Sequence, residues 1–201
     1  MEKKVLYVHG MSSSGSCLTA RVIRGVLLKQ PDIIELIAPD MSVNPKEALQ
    51  VLKELCECEK PDLIIGSSMG GMLVQQMFGY RKILINPAFH VSELMRANLG
   101  LTVFLSPRKD GATHYEMTTQ MCDECQEIEA HQFDGITEFD KENTYGFFGT
   151  NDTVVHCYDE FCRYYKNAIK FVGGHSPRSK DIKELVGTLI IKLLNEECSK
   201  Q

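Results

Sequence analysis

Six short apolar runs alternate with segments of helical periodicity, and this alternation constrains the fold more than any other feature of the chain. The runs are Val5 to Val8, Ile33 to Ile37, "PDLIIG" ending at Gly66, "KILIN" from Lys82, "YGFF" from Tyr145 and "AIKFV" from Ala168. Strands that read as continuous apolar stretches are buried on both faces, and parallel strands need crossover helices. The pattern therefore predicts an α/β protein: a three-layer α/β/α arrangement around a mostly parallel sheet of six to seven strands.

A chain of 201 residues can bury its apolar surface around one core, and no stretch reads as a linker, so a single domain over 1–201 is expected. The net charge of -5 disfavours a nucleic-acid partner. Only four apolar residues stand between the N-terminal lysines and His9, and no apolar run reaches membrane length, so neither a secretion signal nor a membrane partner is expected. Eight cysteines without such a signal fit reduced thiols in the cytoplasm better than a disulfide scaffold.

Helices are expected over Cys17 to Leu28, after Asn44 and Pro45 as cap and first turn, over Gly70 to Phe78, and after Pro177. In the last of these Ile182, Leu185, Val186, Leu189, Ile190 and Leu193 share one face. Between the fourth and fifth runs, about residues 88–143, the rhythm breaks into a stretch rich in Met, His, Cys and acidic residues with no strong buried-strand pattern. A small inserted lid is the expected reading.

The chemistry begins at Gly66-Ser67-Ser68-Met69-Gly70, which satisfies G-x-S-x-G with Ser68 at its centre, behind a strand and ahead of a helix. Small residues two before and two after allow strand and helix to approach across a sharp, strained turn. That turn presents Ser68 as a nucleophile and leaves the backbone N–H of Met69 where an oxyanion forms. Ser67 does not qualify, because Ile65 stands two before it.

A serine hydroxyl needs a base, and the base an orienting carboxylate. Asp152 in "GTNDTVV" follows the fifth strand and His175 in "GGHSP" follows the sixth, so with Ser68 they occur in the order Ser, Asp, His on loops at the carboxyl edge of the sheet. The alternatives are that Asp152 caps the next helix and that His175 fills a glycine turn. His156 also follows Asp152, but too closely to face both partners.

The second oxyanion donor is expected from the loop after the first strand, "HGMSSSG", at the backbone N–H of Met11, with His9 shaping the loop. The glycines of Gly10 to Cys17 also have P-loop spacing, but Ser16 stands where that motif requires lysine, so no nucleotide cofactor is expected. Cys122 and Cys125, with His114 and His131 near in sequence, form one C-x-x-C pair; a zinc site usually needs two, and an acidic, solvent-facing helix with incidental cysteines is the alternative. No metal or other cofactor is expected. Met117 and Met121 are candidates for an apolar acyl pocket under the lid, or for ordinary lid packing.

Taken in order, "LYVHGMSSSG", "IIGSSMGG", "LINPAF", "FFGTND" and "GGH" resemble the α/β-hydrolase superfamily, and within it the small bacterial esterase-like proteins of the YqiA type. The resemblance covers nearly the whole chain. It implies a reduced hydrolase core whose six strands run in the order 2-1-3-4-5-6, and cleavage of short-chain acyl esters through an acyl-enzyme on Ser68, with Asp152 and His175 completing the triad and Met69 and Met11 at the oxyanion positions. Thioesterase or acyltransferase chemistry on the same triad, or a small-molecule binding protein that keeps the fold, are the alternatives.

Overall fold

The computed structural model describes residues 3–196. A six-stranded, all-parallel sheet forms its centre, in the order β2-β1-β3-β4-β7-β8. The strands are β1 (Lys3–Val8), β2 (Ile34–Ile37), β3 (Leu63–Ser67), β4 (Lys82–Ile85), β7 (Thr144–Gly149) and β8 (Asn167–Phe171). This is the order expected above, and the six apolar runs supply its six strands.

Alternation along each strand builds the layers. Val5, Tyr7, Leu63, Ile65, Ile83, Ile85 and Phe147 pack to one side, while Leu6, Val8, Ile64, Leu84 and Phe148 pack to the other. The first side is covered by α1 (Leu18–Leu27) and by the C-terminal helical stretch of α8 (Ser179–Asp181), a π-helical turn (Ile182–Val186) and α9 (Gly187–Asn195). The second is covered by α2 (Pro45–Glu59), α3 (Met69–Gln75) and α7 (Tyr158–Tyr164). Asn44 caps α2, its side chain accepting from the Lys46 and Glu47 N–H groups, and Pro45 occupies the first turn.

One local expectation needs correction. The C-terminal stretch buries Ile182, Val186, Ile190 and Leu193, but Leu185 is 38% exposed. The π-helical turn has an extra residue per turn, which displaces Leu185 from the line a regular helix would give it. The insertion also contains strands: α4 (Val91–Arg96) leads to an antiparallel ribbon of β5 (Gly100–Val103) and β6 (His114–Met117), followed by α5 (Thr119–His131) and α6 (Glu138–Asn143). The strand signal was hidden because the aliphatic residues of β5 face outward, Leu101 being 79% exposed, while Tyr115 and Met117 of β6 face the core.

The insertion ends on a buried ion pair. Lys82 Nζ lies 2.6 Å from Asp140 Oδ1 and also donates to the Gln75 and Met77 carbonyls. Burial pushes the Asp140 carboxyl up, but the donors on Lys82 and Thr137 outweigh it and hold the group below its ordinary range. No helix among the described residues is long and apolar enough to cross a membrane.

Candidate active site

Ser68 sits between β3 and α3 with φ +54° and ψ −121°, outside the ordinary region for an L-residue. The surrounding backbone fixes it there. Its N–H donates to the Ile85 carbonyl at 3.0 Å, and its carbonyl accepts from Gly71, Met72 and Ala88 at 2.9, 3.2 and 3.1 Å. A methyl group at Gly66 would overlap the Gly70 carbonyl, and one at Gly70 the carbonyls of Val8 and His9. Ser67 is turned elsewhere: its hydroxyl accepts from the buried Tyr7 at 3.2 Å.

Asp152 follows β7 and His175 follows β8; His175 reaches Ser68 across the carboxyl edge of the sheet, and Asp152 reaches His175. His175 Nε2 lies 2.9 Å from Ser68 Oγ, and His175 Nδ1 lies 2.8 Å from Asp152 Oδ2. A carboxylate only accepts, so Nδ1 carries the proton and Nε2 is left as the acceptor for the serine hydroxyl. The other Asp152 oxygen accepts from the N–H groups of Val154 and Val155 at 2.8 and 3.1 Å. Asp152 thus orders its own loop and orients His175 at once. His156 lies exposed ahead of α7.

Asn86 is a residue that the sequence reading left without a role. It is buried just past β4 with φ +43°, and it joins three strand ends. Its Nδ2 donates to the carbonyls of Gly174 and His175 at 3.1 and 2.8 Å, and its Oδ1 accepts from Gly149 N–H at 2.8 Å. An Asn directly before Pro87 at the end of an apolar run was the only available signal.

The loop after β1 folds against this turn, and an added carbon on Gly10 would sit 3.0 Å from Ser68 Cβ. Gly10 to Ser13 form a tight turn closed by Ser13 N–H to the Gly10 carbonyl at 3.3 Å. Neither the Met11 nor the Met69 N–H donates to another residue among the described residues. His9 is buried, its Nε2 accepting from Met41 N–H at 2.9 Å and its Nδ1–H donating to the Gly10 carbonyl at 2.8 Å. That pairing requires the neutral ring, and burial lowers its pKa.

Met117 and Met121 lie in the packed core, 2% and 7% exposed, beside Met95 and Cys122. Cys122 and Cys125 also face the core, not solvent as the acidic-helix reading had it, and the Cys125 thiol is pushed up by burial and by Glu129. No group of three or more His, Cys, Asp or Glu residues that could hold a metal occurs among the described residues.

Solved structures with this architecture include Est1E from Butyrivibrio proteoclasticus, with 17% identity and a TM-score of 0.68 over 96% of this chain and 89% of that one. Alpha/beta hydrolase domain-containing protein 10 from mouse matches with 14% identity and a TM-score of 0.66 over 95% and 89%. A metagenome-derived structure described with the lipolytic enzymes LipS and LipT matches with 14% identity and a TM-score of 0.66 over 96% and 94%. At these identities the likeness is one of fold, that of the α/β hydrolases. The model of the uncharacterised protein family UPF0227 matches residues 4–180, and the chain belongs to that family.

Proposed function

We propose that the protein is a serine hydrolase that cleaves carboxylic esters with short acyl chains, with no metal or cofactor. The observation that carries this reading is the continuous hydrogen-bonded line from Ser68 through His175 to Asp152, at 2.9 and 2.8 Å. Ser68 Oγ attacks the ester carbonyl as its proton passes to His175 Nε2, and Asp152 stabilises the imidazolium that forms. The N–H groups of Met69 and Met11 receive the oxyanion. The tetrahedral intermediate collapses to an acyl-enzyme on Ser68, and the alcohol leaves with the proton from His175. Water, deprotonated by the same nitrogen, then releases the acid and restores the hydroxyl. The likeness to a structure described with metagenome-derived lipolytic enzymes supports this direction.

The test is intact-mass labelling with a fluorophosphonate. Wild type should gain one adduct, and Ser68→Ala and His175→Ala none. Asp152→Asn can keep the loop bonds to Val154 and Val155 while presenting an amide NH2 to His175; it should fold with an unchanged melting profile and lose roughly 10⁴ in kcat on p-nitrophenyl acetate. A folded wild type that takes no label would overturn the hydrolase reading.

A further inference from the structure

We infer that the β5–β6 ribbon is a clamp on the oxyanion turn and that Tyr115 is a positioning residue for the Met11 N–H. This rests on the serine-hydrolase reading above.

Ser12, next to Met11, has φ +59°, a left-handed conformation that a serine adopts only when its surroundings impose it. The surroundings are the ribbon. Tyr115 Oη lies 2.7 Å from Ser12 Oγ, and Leu105 N–H donates to the Ser12 carbonyl at 2.7 Å, so side chain and backbone of the strained residue are both held. The next residues are held by the tip of the same ribbon. Ser13 and Ser14 hydroxyls meet Ser106 Oγ at 3.2 and 3.1 Å, and Ser16 Oγ donates to the Pro107 carbonyl at 2.6 Å. Asp40 joins the two segments, accepting from Gly15 N–H at 2.8 Å and Lys109 N–H at 2.6 Å. The run of serines after Gly10 is therefore the socket for the ribbon, which explains a composition that the motif reading left without a purpose.

The Gly10 carbonyl accepts from Ser13 N–H and from His9 Nδ1–H, and these two bonds set the plane of the Gly10–Met11 peptide that carries the Met11 N–H. The Ser13 bond closes the turn and needs Ser12 left-handed at its third position; if Ser12 relaxes, that bond is lost, the peptide tilts and the Met11 N–H leaves the position where the oxyanion needs it. Tyr115 thus acts through Ser12 and not on substrate.

The test is a double-mutant cycle with a conformational readout. Tyr115→Phe should lower kcat and the rate of fluorophosphonate labelling about tenfold with KM unchanged, and Ser12→Ala, which keeps the strain and removes the anchor, should do the same. Glycine adopts the left-handed region without strain. In the Ser12→Gly background, whatever its own rate, adding Tyr115→Phe should change the rate by less than about twofold. Equal losses in both backgrounds, a rise in KM alone, or no loss from Tyr115→Phe in folded protein would each overturn the inference while leaving the triad standing. A folded wild type that is not labelled at all would remove the serine-hydrolase reading and this inference with it.

Discussion

At the scale of single residues, the site is built from side chains that each hold more than one element. Ser68 carries backbone strain of about 1–3 kcal/mol, which its four backbone hydrogen bonds must offset. Asp152 divides its oxygens between His175 and its own loop. His9 gives a pH signature. Burial keeps its ring neutral, so the unfolded chain takes up a proton more readily than the folded one. The stability this confers is complete above the ordinary histidine value of 6.5 and is lost as pH falls through the lowered folded value. The melting temperature of wild type should therefore drop more steeply between about pH 7 and about pH 5 than that of His9→Gln, by differential scanning calorimetry. Equal slopes would show that His9 is protonated without cost.

At the scale of elements, two glycines separate fold from ornament. Gly66→Ala places a methyl group on the Gly70 carbonyl, and should cost on the order of 3 kcal/mol or more in urea titration. Gly25→Ala in α1 meets nothing within 4 Å, and should stabilise by ~1 kcal/mol through helix propensity. The six sheet strands and the turn between β3 and α3 were legible because their signals are local: an apolar run, a glycine, a serine at fixed spacing. The β5–β6 ribbon was not, because Leu101 and Val103 of β5 point outward at 79% and 54% exposure and so invert the usual pattern. The π-helical turn was equally hidden, since an added residue in one turn changes no composition.

For the whole molecule, the two ends of the sheet have different tasks. The Lys82–Asp140 pair ties the end of the insertion to the start of β4, while Ser68, Asn86, Asp152 and His175 all lie past the other ends of the strands. Lys82→Met leaves a buried carboxylate without its ammonium partner and should lower stability by about 3–5 kcal/mol, with labelling of Ser68 unchanged below the melting transition. A smaller loss would mean that Thr137 and Gly79 suffice for Asp140. The sequence by itself determined the layer order, the strand set and the identity of Ser68, Asp152 and His175 as candidates, because strand alternation and loop position follow from residues near in the chain. Only the tertiary structure decided that Asn86 joins three strand ends, that Cys122 and Cys125 face inward, and that the serines after Gly10 receive the ribbon. Those partners lie far apart in the chain, and no local pattern encodes a hydrogen bond that exists only once distant backbones have been brought together.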